Sequence, residues 1–134
     1  MGRIAKLRNA PHPVERATLT AQSGQHLTAL DEEELLLPTE LSIELAELFR
    51  ALADPTRARI VYALVHQDLT TSGLAALLGM NPPSISQHLR LLRTLRIVRP
   101  RRQGQLVFYS LDDEHIRFLV TMSLNHLREQ RATR

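Results

Sequence analysis

The sequence predicts a mainly α domain in which one β-hairpin interrupts the helices, in the order α-α-α-α-β-β-α. Three observations carry this. Apolar residues recur at helical spacing in five segments. Asp54-Pro55, Gly79 and Asn81-Pro82 fall where helices should start and stop. After Leu95 the chain turns to β-prone residues around a glycine. At 134 residues, 43% hydrophobic and 23% charged, it suits one folded unit.

Residues 1 to about 34 mix Pro11, Pro13, Gly24 and the acidic run Asp31-Glu32-Glu33-Glu34 without sustained periodicity. They are expected to be a flexible, disordered N-terminal arm, with the folded domain over 35–134. A first helix over about 39–53 carries Leu41, Leu45, Leu48, Phe49 and Leu52 on one face. Asp54 caps a second helix that begins on Pro55 and runs through Ile60, Tyr62, Ala63 and Leu64 to about His66. Ser72 precedes a short helix, Leu74 to Leu78, which Gly79 closes as a left-handed cap. Asn81-Pro82 repeats the cap-then-proline start of a helix reaching about Leu95. Two short helices joined by Gly79-Met80-Asn81 are a helix-turn-helix signature, since Gly permits the reversal and Asn caps the second helix. Ile97 to Arg101 and Leu106 to Ser110, around Arg102-Gln103-Gly104-Gln105, read as a hairpin wing. A last helix, capped by Asp112 or Asp113, extends to about Gln130. The whole is a winged helix-turn-helix.

Composition narrows the chemistry. There is no cysteine, hence no disulfide, thiolate metal site or cysteine nucleophile, and any metal must sit on His and carboxylates. The longest apolar run, Gly73 to Met80, is far short of a membrane span, and the first residues hold no apolar signal core. A cytoplasmic chain is expected. No nucleophile–base pair, phosphate loop or clustered acid–base pocket stands out, which argues against an enzyme.

Charge is segregated. From Leu69 to Leu111 there is no acidic residue, while Arg90, Arg93, Arg96, Arg99, Arg101 and Arg102 all fall there; seven acids lie between Asp31 and Glu47. Of the 17 Lys and Arg, 16 are Arg, the residue suited to phosphates and guanine edges. A solvated basic face is the plain reading of an arginine cluster; its coincidence with a helix-turn-helix and a wing points to double-stranded DNA. On the helix from Asn81, Ile85, Leu89, Leu92 and Arg96 line one side, and Pro83, Ser86, Gln87, Arg90 and Thr94 the other. Gln87 suits adenine, Arg90 guanine or phosphate, and Ser86 is permissive. Arg93 shares this basic segment. Arg101, Arg102 and Gln105 on the wing would meet phosphates or the minor groove. His88 lies nearer the apolar side and reads as a packed, neutral histidine. Five aromatics in the chain argue against single-strand binding by base stacking.

On the last helix, Ile116, Val120, Ser123, Leu124 and Leu127 form a stripe suited to the chain's own core. Beside it His115, Leu119, Met122, His126 and Glu129 step by four, three, four and three, the spacing of a seam with a partner helix. Asp113 and His115 flank the helix start, and His126 and Glu129 sit one turn apart near its end. The two histidines are about 16 Å apart along the axis, so the sets cannot meet on one helix. Two copies packed antiparallel would bring the half-sets together as two four-ligand sites per dimer, suited to Zn(II), with Co(II) possible. Alternatively, Asp113 merely caps, Glu129 is solvated and both histidines are surface residues.

The chain resembles the ArsR/SmtB family of winged-helix repressors in Leu52-Ala53-Asp54-Pro55-Thr56-Arg57, in Ser84-Ile85-Ser86-Gln87-His88-Leu89 with Leu92-Arg93, and in Arg102-Gln103-Gly104-Gln105 with Phe108-Tyr109. The likeness covers about 39–130. Asp113, His115, His126 and Glu129 match the last-helix motif of its zinc-sensing branch at every step. The resemblance implies a homodimer through the first and last helices that binds operator DNA when metal-free and releases it when Zn(II) binds between the last helices. It also implies that His126 transmits the signal toward the reading helix. The readings it competes with are a repressor answering another effector, such as Co, Ni or a non-metal, or none, and an architectural DNA-binding module. Two departures stand out. Thr70, Thr71 and Ser72 occupy the segment where thiolate-sensing members carry Cys, and a second zinc site loses its ligands there, leaving His12 and His26 as tail histidines. Pro82-Pro83 replaces a frequent Gln-Ser pair, which puts phosphate contact at the start of the reading helix in doubt.

Overall fold

The structure, a computed structural model, describes residues 31–134. Most of the expected arm, with His12 and His26, lies outside the described residues. The described residues fall into two units that part between Ser42 and Ile43. In the first, a helical turn absent from the sequence reading, α1 (Glu32–Leu35), precedes the first turn of α2 (Thr39–Leu52). Leu35, Leu36 and Leu37 are all exposed.

The second unit holds the rest of α2, then α3 (Pro55–His66), β1 (Leu69–Thr70), α4 (Thr71–Leu78), α5 (Pro82–Thr94), β2 (Val98–Gln103), β3 (Leu106–Leu111) and α6 (Glu114–Ala132). The caps follow local chemistry. Asp54 accepts the Arg57 N–H at 2.9 Å, Asn81 accepts the Ser84 N–H at 2.9 Å, and prolines occupy the first turns of α3 and α5, where a missing N–H costs nothing. Gly79 ends α4 with φ 65°, and the Met80 N–H reaches the Ala75 carbonyl at 2.9 Å.

Four expectations need correction. Helix α4 is capped by Thr70, whose hydroxyl accepts the Gly73 N–H at 3.0 Å, so Ser72 lies inside the helix. Thr70 also ends a short strand, β1, that pairs antiparallel with β3 (Leu69↔Tyr109, Thr70↔Phe108), making a three-stranded sheet of order β1-β3-β2 where a bare hairpin was expected. The β2–β3 register, Val98↔Leu111 to Gln103↔Leu106, narrows the turn to Gly104-Gln105, with Gly104 at φ 63°. Arg96 does not continue the apolar side of α5. The helix stops at Thr94, and Arg96 is exposed with φ 56°.

The core of this unit is one cluster. Ile60, Val61 and Leu64 of α3, Leu74 of α4, and Ile85, Leu89 and Leu92 of α5 meet Ile97, Val98 and Leu111 of the sheet. Ile116 brings in the start of α6, and Ala51 the end of α2. The reading-helix side opposite Ile85, Leu89 and Leu92 is thereby fixed outward.

Candidate nucleic-acid interface and metal half-sites

Burying Ile85, Leu89 and Leu92 turns Ser86, Gln87, Arg90 and Arg93 to solvent. None of these four side chains is held by another described residue, so each is available to a base edge or a phosphate. Thr94, on the same side, returns its hydroxyl to the Arg90 carbonyl at 2.9 Å. The helix start supplies no backbone donor: Pro82 and Pro83 have no N–H, and that of Ser84 is taken by Asn81. Anions that usually settle on a helix N-terminus therefore find no free amide in this first turn.

On the wing, Arg102 and Gln105 are exposed. Arg101 is already engaged. Its guanidinium lies 3.2 Å from Asp68 Oδ2, donates to Gln103 Oε1 at 3.2 Å, and sits 5.5 Å from the centre of the Phe108 ring. The sequence reading missed Asp68, although it is the last acid before the acid-free stretch; only the sheet pairing brings it to Arg101.

His88 is half-buried, as a packed histidine should be. Its Nδ1 lies 3.5 Å from Arg57 Nη1, and the Nε of the same arginine donates to the Ala51 carbonyl at 2.6 Å. Arg57 thus ties the end of α2 and the start of α3 to the reading helix. The Arg57 backbone N–H, above all, holds the Asp54 carboxyl below the usual carboxylate range.

At the other end of the unit, Asp113 caps α6. Its Oδ1 accepts the Ile116 N–H at 3.1 Å, while Oδ2 lies 3.6 Å from His115 Nδ1. The Ile116 N–H, with a smaller contribution from His115, keeps this carboxyl below its ordinary range. His115 is almost fully exposed, and His126 and Glu129 are exposed further along the same helix. Asp113 and His115 thus sit together at the start of the helix, and His126 and Glu129 are three residues apart toward its end. Among the described residues of one chain, no three His or carboxylate groups converge on a metal-sized site.

The stripes on α6 are less cleanly divided than their spacing implies. Ile116 is buried and Val120 half-buried against the core, but Leu127 of that stripe is exposed, and Leu119 of the outer stripe is half-buried. Phe118, in neither stripe, is 67% exposed, and Met122 50%. Arg117 anchors the helix through the Val65 carbonyl.

Residues 54–99 match the family described as "Bacterial regulatory protein, arsR family". The chain is 38% identical over 109 residues to the transcriptional repressor SmtB homolog of Synechocystis sp., covering 78% of this chain and 83% of that one. It is 43% identical over 84 residues to the HTH-type transcriptional regulator KmtR of Mycobacterium tuberculosis, covering 63% of this chain and 65% of KmtR. The NMR structure of the cadmium metal-sensor CMTR from M. tuberculosis superposes with a TM-score of 0.50 at 44% identity, covering 55% of this chain and 75% of that one. No helix among the described residues is long and apolar enough to cross a membrane. With the fold of a winged helix-turn-helix domain, the chain belongs to the arsR family of bacterial regulatory proteins, a family of transcriptional regulators.

Proposed function

We propose that this chain is a cytoplasmic, Zn(II)-responsive transcriptional repressor that binds operator DNA as a homodimer when metal-free and is released when Zn(II) binds between two last helices. The observation that carries this reading is the position of two complementary half-sets at opposite ends of α6, on side chains left in solvent. An antiparallel pair of α6 helices would set Asp113 and His115 of one chain against His126 and Glu129 of the other. Because Asp113 Oδ1 is spent on the cap, it would present Oδ2 alone. Two imidazoles and two carboxylates without sulfur suit tetrahedral Zn(II) or Co(II); a soft thiophilic ion finds no thiolate here. The bound ion would supply a fixed link between the helices.

The chain's own residues supply the rest. Exposed Phe118, Met122 and Leu127 on α6, and Leu45 and Phe49 on α2, offer the apolar area a second copy would cover. A groove of about 330 Å³ between these helices and α3, lined by Leu52, Val61 and Leu124 among others, would receive it. Ser86, Gln87 and Arg90 would read base edges in the major groove, and Arg93, Arg101, Arg102 and Gln105 would meet the backbone or the minor groove. Fixing the α6 seam sets the separation of two reading helices, so metal and operator compete through geometry and each weakens the other by one factor. The test is His126→Ala in a Zn(II) titration of the protein–operator complex. The variant should bind operator like the parent and stay bound when Zn(II) is added. Release as ready as the parent's would mean that the last-helix site is not the sensor.

A further inference from the structure

We infer that Arg96, the left-handed residue between the reading helix and the wing, is a phosphate anchor of the DNA interface, a role that rests on the DNA-binding reading. Helix α5 ends as α4 does. The Ile97 N–H reaches back to the Leu92 carbonyl at 2.8 Å and the Arg96 N–H to Arg93 at 3.0 Å, the same pattern that Met80 and Gly79 make on Ala75 and Ala76. At α4 the left-handed position holds glycine, which adopts it freely; at α5 it holds arginine at φ 56°. Arg96 is the one non-glycine with positive φ among the described residues. A residue with a Cβ is strained there, and glycine would form the same turn without that strain.

The protein gains nothing visible from this side chain. Arg96 is exposed, and no described residue pairs with it or hydrogen-bonds to its guanidinium. The turn itself needs only the backbone: it ends the helix and drops Ile97 into the core. The side chain that would have pointed inward had the helix continued is turned outward instead. Along the chain it lies between Arg93 at the end of α5 and Arg99 on β2, both exposed and both without an acidic partner among the described residues. A second observation asks for such an anchor. The first turn of α5, blocked by Pro82, Pro83 and the Asn81 cap, offers no amide to a phosphate, so the helix must be positioned on the duplex by side chains elsewhere. An unengaged guanidinium at the far end of the helix, at the junction with the wing, supplies that contact.

The experiment compares Arg96→Gly, Arg96→Lys and Arg90→Ala in the full-length protein. It measures thermal melting and binding to a labelled operator duplex and to a scrambled duplex across a salt series. Arg96→Gly should melt at or a few degrees above the parent. It should bind both duplexes roughly five- to tenfold more weakly, with the log–log salt slope shallower by about two per dimer, one per copy. Arg96→Lys should retain most of the binding. If Arg96→Gly binds both duplexes with the parent's affinity and slope while Arg90→Ala is weakened, Arg96 is not an anchor and the DNA reading stands. If neither variant is weakened, both fail. Loss confined to the operator would also overturn the inference, because a phosphate contact does not distinguish sequences.

Discussion

Replacing Asp68 with Asn removes the carboxylate that occupies Arg101 while keeping the side-chain shape. The pair is 3.2 Å long between side chains 51% and 38% exposed, so solvent screening limits it to about 0.2–1 kcal/mol. If the wing takes Arg101 to a phosphate, the parent gives up that energy on binding DNA and the variant does not. One wing then gains about 1.4- to 5-fold in affinity, and a dimer with two wings about 2- to 30-fold. Where Asp68 keeps Arg101 from the phosphate in part of the parent's complexes, the variant's log–log salt slope steepens as well, by up to about 0.9 for each arginine released to DNA. Fluorescence anisotropy of a labelled operator across a salt series reads both quantities. Glu44→Gln on α2, which removes one negative charge away from the wing, is the control for net charge. Parent-like affinity and slope for Asp68→Asn would refute the placement of Arg101 at the interface. An equal gain from Glu44→Gln would reduce the effect to overall charge.

Arg57→Ala should destabilise the domain by about 1–3 kcal/mol by stranding the Ala51 carbonyl, lowering the midpoint of a thermal melt by roughly 4–8 °C per kcal/mol. Arg57→Lys should restore only part, since an ammonium lacks the fork that spans Ala51 and His88. Because the Arg57 N–H depresses the Asp54 carboxyl, the charged cap stabilises the fold above the unfolded-state value of about 3.9 and loses that contribution as pH falls through the lower folded value. Below about pH 3.9 the parent's melting temperature should therefore drop more steeply than that of Asp54→Asn, which caps without titrating. A Zn(II) competition titration should return one tight equivalent per chain; two would point to His12 or His26.

The legible parts of this sequence were those set by local chemistry. Asp54, Gly79, Asn81 and Asp113 cap the helices they were expected to cap, because each needs only neighbours three or four residues away. Burial of Ile85, Leu89 and Leu92 follows from helical spacing, and with it the outward face of Ser86, Gln87 and Arg90. Strand β1 was hidden because two residues carry no period, and only its pairing with Tyr109 and Phe108 defines it. The Arg101–Asp68 pair spans 33 residues and needs that same pairing. Arg96 misled because helical periodicity places it with Ile85 and Leu89, while the left-handed turn that ejects it is normally announced by glycine. On α6 the spacing that singles out Asp113, His115, His126 and Glu129 as candidate ligands is local, and all four are exposed. The exposure of Phe118 was not legible, since an apolar side chain in a monomer's sequence reads as core.

Cross-chain assembly of the zinc site is tested most directly by mixing two defective chains. His115→Ala and His126→Ala homodimers each lack one ligand at both sites, whereas a co-expressed mixed dimer regains one complete set: Asp113 and His115 from the His126→Ala chain, His126 and Glu129 from the His115→Ala chain. Zn(II) competition titration should find no tight site in either homodimer and one tight equivalent per mixed dimer. A mixed dimer that binds no more tightly than the two homodimers would contradict a site built between last helices.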